Sequence, residues 1–255
     1  MKAAILGHPV QHSLSPVLHS AAYEALGLHD WTYEKHDVTT EQLASFLSEC
    51  DATWAGVSLT MPLKLRAVEL ASSSSEVVSR TGVANTLIFE SEGLRAFNTD
   101  VDGIKFALAE VGITAVHSAR VIGGGATARS AVAALEDLGA TDISLAVRRP
   151  GATQGIPDVS ECALSEDSAV DVVISTVPSD ATTDVPALSC PLLDVIYHPW
   201  PTPLATRWLG PVTSGHRMLL GQAVHQVHLM TGMKVTPVVV QAMDAALMTA
   251  LQASH

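Results

Sequence analysis

Three consecutive glycines near the middle of the chain are the residues most suggestive of chemistry. They lie in the segment 119–135, after a short apolar run and before an alanine-rich run without glycine or proline. The spacing fits G-x-G-x-x-A, in which the first glycine allows a tight turn, the second admits a pyrophosphate and the small residue lets a helix pack closely. The amides at a helix N-terminus then attract phosphate. The segment therefore predicts a dinucleotide-binding loop made by Gly123, Gly124, Gly125, Ala126, Thr127 and Ala128.

Two arginines follow the next predicted strand, Ile143–Val147. In NAD-binding units an acidic residue about 20 positions after the glycines binds the ribose 2′-hydroxyl. Here Arg148 and Arg149 stand at that position, and the forked donors and fixed charge of arginine suit a 2′-phosphate. The alternative is a pair of solvated arginines at a strand end. The prediction is NADP rather than NAD, with Arg129 as an assisting candidate.

A lysine and an aspartate in the first hundred residues are candidates for proton transfer. Lys64 follows a predicted strand end and a proline turn, and Asp100 ends the sequence Asn98-Thr99-Asp100. Hydride transfer to or from a carbinol carbon needs a proton carrier. A lysine beside a carboxylate can serve, because burial lowers its pKa and the carboxylate raises it. Taken singly, Lys64 is typical of a surface lysine and Asp100 of a helix N-cap.

The elements that must position these residues alternate along the first hundred residues. We expect strands at Ala3–Leu6, Trp31–Val38, Ala55–Leu59, Ala84–Phe89 and Leu94–Phe97. We expect helices over Ser15–Gly27 with Ser15 as N-cap, over Thr40–Leu47, and from about Pro62, and a turn at Ser72–Ser75. Strands separated by helices predict a mainly parallel sheet.

After Val101 a connecting helix over Asp102–Val111 leads to the glycine unit. Further strands are predicted at Ile143–Val147, Val170–Ser175 and Leu192–Tyr197, with an irregular, helix-poor crossover at Pro150–Asp167, and two final helices run from Met218, split near Thr236-Pro237. The prediction is an α/β protein: an N-terminal α/β substrate and catalytic domain over 1–101, completed by about 218–255, and a Rossmann-type NADP-binding domain over 102–217.

Composition limits the possible partners. The chain is 47% hydrophobic and 16% charged, enough to bury a sizeable core, and its net charge of −12 argues against nucleic acid or anionic membranes. We expect neither a signal peptide nor a membrane span. Three scattered cysteines without C-x-x-C favour free thiols in the cytoplasm. His225 and His228 lack a third ligand of suitable spacing, so no metal is predicted.

Seven segments, taken in order, carry a resemblance to the shikimate dehydrogenases that runs from end to end. They are Gly7-His8-Pro9 with Ser13–Pro16, Ser58–Lys64, Ala84-Asn85-Thr86, Asn98-Thr99-Asp100, Gly123–Ala128, Asp194–Leu204 (DVIYHPWPTPL) and Met218–Ala223 (MLLGQA). The resemblance implies NADP-dependent reduction of 3-dehydroshikimate to shikimate, a step of chorismate and aromatic amino-acid biosynthesis. For the oligomeric state, both a monomer and a homodimer stay open.

The resemblance also implies a role for each matching residue. Ser13 and Ser15 would bind the substrate carboxylate, and Lys64 with Asp100 would flank the reacting hydroxyl. Thr60, Asn85 and Gln222 would bind the ring hydroxyls, as mixed donors and acceptors suit them. Near the substrate and the nicotinamide would lie Tyr197, Met218, Leu219 and Thr176.

The sequence departs from the family at three places. Position 58 is Ser where Asn is common, and we expect it to shape the turn. Val147-Arg148-Arg149 stands where Asn-Arg-Thr is usual, and Ser175–Pro178 differs from the usual small-residue loop. Two alternatives stay open: an NAD-using quinate/shikimate dehydrogenase, against which the arginine pair argues, and a non-catalytic ligand sensor, against which Lys64 and Asp100 argue.

Overall fold

The computed structural model describes residues 1–149, 151, 153 and 155–253. It divides into two compact units, Met1–Thr99 with Gln222–His255, and Asp100–Gly221. The domain boundaries expected from the sequence, after residues 101 and 217, lie a few residues from these. The functions assigned to the two parts remain predictions.

Twelve strands and nine α-helices are present in the described residues. The strands are β1 Lys2–Gly7, β2 Thr32–Asp37, β3 Trp54–Leu59, β4 Ser73–Ser74, β5 Thr86–Glu90, β6 Gly93–Phe97, β7 Ser118–Ile122, β8 Asp142–Val147, β9 Ser160–Ala163, β10 Val172–Ser175, β11 Leu192–Asp194 and β12 Val212–Ser214. The helices are α1 Ser15–Ala25, α2 Leu43–Glu49, α3 Arg66–Leu70, α4 Glu76–Thr81, α5 Asp100–Glu110, α6 Ala126–Asp137, α7 Pro203–Arg207, α8 Gly215–Thr231 and α9 Pro237–Ala253. A short 3₁₀ helix covers Ser179–Thr182.

The first unit is built on a six-stranded sheet with the order β2-β1-β3-β5-β6-β4. Strand β1 pairs in parallel with β2 and β3, and β4 pairs in parallel with β6, whereas β5 runs antiparallel to β3 and β6. The sheet is thus mainly parallel, as expected, with one antiparallel strand, β5. Apolar residues such as Leu6, Val57 and Leu87 are fully buried on it, and α1 packs against α9.

The second unit is built on a parallel sheet with the order β12-β11-β10-β7-β8-β9. Counted from β7, this is the strand order 3-2-1-4-5-6 of the Rossmann fold, whose direction of winding reverses beside its first strand. Helix α6 follows β7 directly and packs against it. The α/β class and the Rossmann-type sheet are therefore confirmed.

Several local predictions are wrong. Leu14, not Ser15, is the N-cap of α1, and Ser15 is the first helical residue. The predicted turn at Ser72–Ser75 contains β4, because residues 73 and 74 pair with β6, and Ser75 then caps α4, which the sequence analysis missed. The helix expected from about Pro62 begins at Arg66, after a series of turns.

The second half differs from the prediction mainly in short elements. Strand β11 ends at Asp194, so the predicted strand Leu192–Tyr197 is too long. Helix α8 begins at Gly215 rather than Met218. The crossover at Pro150–Asp167 contains β9 and no helix among its described residues; positions 150, 152 and 154 lie outside them. Helix α7, strand β12 and the 3₁₀ helix were not predicted from the sequence.

Candidate active site

The first glycine of the loop has a conformation that other residues rarely adopt. Gly123 follows β7 with φ +117°, and its amide donates to Ala146 O at 3.0 Å. A Cβ added there would lie 2.6 Å from Thr176 Oγ1 and 2.8 Å from Val177 Cγ1. Both the backbone angle and the close neighbours therefore require glycine.

The third glycine is not required by its backbone angle or by its neighbours in the fold. Gly125 is the N-cap of α6, its φ of −84° is open to any residue, and a Cβ added there would meet nothing within 4 Å. No side chain caps α6. A helix N-terminus without a side-chain cap is suited to bind an anion through its first amides. Ala126 and Thr127 begin this helix, and fully buried Ala128 lets it pack on the sheet.

A cavity of about 500 Å³ brings the glycines and the arginine pair together. Its lining residues are Gly123, Gly124, Ala146, Val147, Arg148, Arg149, Leu164, Val177 and Ala181. The two arginines are exposed at the end of β8. Arg129 lies on α6 and donates to Gly155 O at 2.7 Å. The volume is in the range of ligand pockets, and the lining is apolar apart from the arginines and backbone.

The remaining nucleotide-side predictions occupy other parts of the second unit. The Thr176 hydroxyl donates to Ile122 O at 2.8 Å, so it holds the last residue of β7, directly before the glycine turn. Tyr197 is half-buried in the loop after β11. Met218 is buried and Leu219 half-buried, both near the start of α8.

A buried carboxylate holds the loop that carries Tyr197. Asp194 Oδ2 accepts from Thr202 Oγ1 at 2.7 Å and Oδ1 from the Ile196 amide at 3.2 Å. Burial raises the pKa of the Asp194 carboxyl above its usual value, partly offset by these two bonds. Thr202 also caps α7, because its hydroxyl accepts from the Ala205 amide. One hydroxyl therefore both holds the loop through Asp194 and caps the helix.

In the first unit the two predicted serines lie side by side. Ser13 Oγ donates to Ser15 Oγ at 3.2 Å and accepts from the Ser15 amide at 3.3 Å. Ser15 is buried at the start of α1, and Ser13 is half-buried. Two adjacent hydroxyls provide the pair of donors that a carboxylate accepts.

Thr60 and Lys64 share the turn after β3. The Thr60 amide donates to Leu6 O at 2.9 Å, and Lys64 O accepts from the Ala84 amide at 2.9 Å. These bonds tie the turn to β1 on one side and to the segment before β5 on the other. Both side chains are half-buried.

The structure also joins Asn85 to Gln222, although 137 positions separate them. Asn85 Nδ2 donates to Gln222 Oε1 at 3.4 Å and to Thr99 Oγ1 at 2.9 Å. Its Oδ1 accepts from the Thr99 amide and the Thr86 hydroxyl, each at 2.9 Å. Both amide side chains are therefore buried with fixed orientations.

Asp100 follows Thr99 directly and is the first residue of α5, buried and belonging to the second unit. An acidic residue in the first turn also suits the helix dipole. The pairing of Asp100 with Lys64 remains a prediction.

The sequence of this chain is similar to the sequences of known proteins. The family described as shikimate dehydrogenase substrate binding domain matches residues 5–87. A shikimate dehydrogenase (NADP(+)) of Methanothermobacter thermautotrophicus is 31% identical over 89% of this chain and 90% of its own length. One of Moorella thermoacetica is 33% identical over 98% and 94%.

The chain belongs to the shikimate dehydrogenase family.

Solved structures of shikimate dehydrogenases agree in fold. The Mycobacterium tuberculosis enzyme is 39% identical, with a TM-score of 0.84, over 97% of this chain and 99% of its own. A Thermus thermophilus shikimate 5-dehydrogenase in complex with NADP(H) and shikimate is 29% identical, with a TM-score of 0.81, over 96% and 99%. The resemblance found in the sequence motifs is thus confirmed.

Four buried residues with polar side chains were not predicted as site residues from the sequence: His19, Tyr33, Gln226 and, as a supporting residue, Ser58. Ser58 was expected to shape the turn, but it lies inside β3, where its hydroxyl accepts from Tyr33 and donates to Gln226. Burial lowers the pKa of His19 to about 3 and raises that of the Tyr33 hydroxyl. A signal was present for Ser58, which is a polar position inside an otherwise apolar run.

The described residues contain neither a metal-binding cluster nor a membrane-spanning helix. Among them, no group of three or more His, Cys, Asp or Glu side chains is arranged to hold a metal ion. Within the same residues, no helix has the length and apolar character needed to cross a membrane.

Proposed function

We propose that this chain catalyses the NADP-dependent, reversible reduction of 3-dehydroshikimate to shikimate, in the route to chorismate and the aromatic amino acids. One observation carries the proposal: the phosphate-loop glycines and the arginine pair line one cavity, in a chain related to NADP-dependent shikimate dehydrogenases over about nine-tenths of its length.

The residues of the second unit fit NADP. Gly125 leaves open space at the start of α6, where a pyrophosphate would accept hydrogen bonds from backbone amides. Arg148, with Arg149, would bind the 2′-phosphate through forked, permanently charged donors. Met218 and Leu219 would contribute apolar surface to the nicotinamide, beside Thr176 and Tyr197.

The residues of the first unit fit a small anion with several hydroxyls. Ser13 and Ser15 present adjacent hydroxyls for the carboxylate. Asn85 and Gln222 are held against each other, so their amide groups are already oriented for ring hydroxyls. Thr60 supplies one more donor and acceptor near Lys64.

The proton step would belong to Lys64 and Asp100. When bound, NADPH would supply the hydride to the ring carbonyl carbon, which leaves an alkoxide to be protonated. Lys64, as an ammonium group coupled to Asp100, would deliver the proton to the alkoxide oxygen as it forms, and in the reverse direction the neutral amine would take that proton. No metal is part of this proposal.

A four-way assay tests the function: the purified chain with shikimate or quinate, each with NADP⁺ or NAD⁺. We expect the shikimate–NADP⁺ pair to have the highest kcat/KM. Preference for NAD⁺ together with oxidation of quinate would favour the quinate/shikimate alternative. Binding of shikimate without turnover in any of the four combinations would favour a ligand sensor.

We extend the proposal to the cellular location, binding partners and oligomeric state of the protein. The described cysteines Cys50, Cys162 and Cys190 are free thiols, which suits the reducing cytoplasm. Shikimate, 3-dehydroshikimate and NADP are the proposed partners, with neither nucleic acid nor membrane, as the acidic charge favours. We propose a monomer or a homodimer.

A further inference from the structure

Gln226 is a buried side chain of the first unit whose amide contacts four polar groups. Its Oε1 accepts from Ser58 Oγ at 2.8 Å and contacts His19 Nε2 at 3.3 Å. Its Nε2 donates to Thr86 Oγ1 at 2.9 Å and to Asn85 O at 3.3 Å. A glutamine amide has two acceptor sites and two protons, so its full capacity is used here.

The neighbours of Gln226 fix the direction of these bonds. Tyr33 donates its hydroxyl proton to Ser58 Oγ at 2.7 Å, so the Ser58 proton is directed to Gln226. His19 is fully buried and stacks on Tyr33 with ring centroids 3.8 Å apart. With Nε2 as donor to Gln226, His19 Nδ1 is left to accept from the Tyr23 hydroxyl at 3.3 Å.

The network adjoins the proposed substrate site on both sides. On one side, His19, which contacts Gln226, lies on α1 four residues after Ser15, a proposed partner of the carboxylate. On the other, Thr86, which accepts from Gln226, donates to Asn85 Oδ1 and so helps to orient a proposed partner of the ring hydroxyls. Gln226 therefore links α1, the helix that begins at Ser15, to Asn85 through buried side-chain contacts.

We propose that Gln226 is a positioning residue that sets the separation and orientation of Ser15 and Asn85 for the substrate. The inference rests on the proposed function, because it takes these two residues as substrate partners. A rigid ring cannot adjust to a displaced partner, so a small shift at either end weakens binding and alignment. Replacing Gln226 leaves several buried polar groups without partners, and the network relaxes to satisfy them.

The test uses Gln226→Met, which keeps an unbranched side chain of similar size, and Gln226→Glu, which keeps the shape but removes the amide donors. Val227→Ala is the matched control, since Val227 is the next residue of α8, is fully buried and is apolar. For each variant of the full chain, the KM for shikimate, the KM for NADP⁺ and the melting temperature are measured.

We expect the Gln226 variants to raise the KM for shikimate roughly fivefold to a hundredfold, the equivalent of one or two lost buried hydrogen bonds. The KM for NADP⁺ should stay within about twofold of wild type, because the four hydrogen-bond contacts of Gln226 described above all go to residues of the first unit. Val227→Ala should lower the melting temperature through its cavity without raising the KM for shikimate.

A double variant separates positioning from stability. If Gln226 acts through Ser15, then Ser15→Ala combined with Gln226→Met should raise the KM by less than the product of the two single effects. Multiplicative effects, or a lower melting temperature with an unchanged KM for shikimate, would overturn the positioning role. Should Gln226→Met fail to fold, Gln226→Glu decides the matter by the same criteria. A wild-type chain without activity on shikimate would instead contradict the proposed function.

Discussion

The two candidate binding regions hold their polar groups in different ways. In the first unit, buried side chains bond to other side chains, as Asn85 does with Thr99 and Gln222, and Gln226 with Ser58 and Thr86. In the second unit, the cavity is lined by glycine backbone, apolar residues and two exposed arginines.

Buried and half-buried polar side chains of the second unit mostly bond to backbone. Arg120 donates to Glu166 O and Ser168 O, Ser130 to Ala126 O, and half-buried Thr176 to Ile122 O. The bond from Arg120 to Ser168 Oγ at 2.6 Å and the Asp194–Thr202 pair are side-chain exceptions. A phosphate group is the same in many ligands, so backbone amides are enough to bind it. The hydroxyls of one particular ring need side chains that are oriented one by one.

The largest expected effect is a loss of turnover in a Lys64 variant that still binds the nucleotide. Lys64→Ala should lower kcat by about 10²–10⁴-fold, as expected for a general acid–base group, and leave the Kd for NADPH unchanged. Steady-state kinetics and NADPH fluorescence titration measure the two quantities. Lys234→Ala, at an exposed lysine of the same unit, is the control. Normal turnover in Lys64→Ala would remove this lysine from the mechanism.

A pair of glycine variants tests whether the nucleotide site is built from backbone. Gly123→Ala should lower the free energy of unfolding by roughly 2–4 kcal/mol, because a positive φ and two close contacts oppose a Cβ. Gly125→Ala should leave stability nearly unchanged, since its Cβ meets nothing within 4 Å, but should weaken NADPH binding. Denaturant unfolding and ligand titration compare them; equal losses of stability would contradict this division.

A smaller effect concerns the exposed arginines. Arg148→Ala should weaken NADPH binding by about 1.5–3 kcal/mol, the contribution of a charge-assisted hydrogen bond, with little change for NADH. Arg149→Ala should have a weaker effect in the same direction. Titrations with both nucleotides at one ionic strength measure this. If Arg148→Ala weakened NADH as much as NADPH, the 2′-phosphate assignment would be wrong.

The smallest effect is a pH dependence of stability that belongs to the first unit's network. His19 titrates at 6.5 when unfolded and near 3 when buried, so between these values the unfolded state binds more protons. The free energy of unfolding should therefore fall as pH falls below 6.5, by about 1 kcal/mol per pH unit from this group. His19→Gln should lose this contribution when unfolding is compared at pH 6.5 and 5, and exposed His29→Gln should keep it. An unchanged slope in His19→Gln would show that the buried histidine is not neutral.

The sequence predicted best what depends on neighbouring residues. The glycine loop, the helix after it and the arginines at the end of β8 lie within about one βαβ unit, so their spacing alone indicates their geometry. The boundaries of short elements were less accurate, because β4 exists through pairing with β6, and β11 ends before Tyr197 since the loop is held by Asp194 and Thr202.

What the sequence by itself determined is the α/β class, the Rossmann-type half and, through its motifs, the family. Only the tertiary structure decided how the substrate-side residues are oriented. Gln226 bonds to Ser58 and His19 across 168 and 207 positions of the chain, and no local pattern encodes such pairs. Buried polar groups need hydrogen-bond partners, and the packing of the fold decides which groups lie within reach. The partners of Gln226 are therefore defined only once the strands and α8 are packed together.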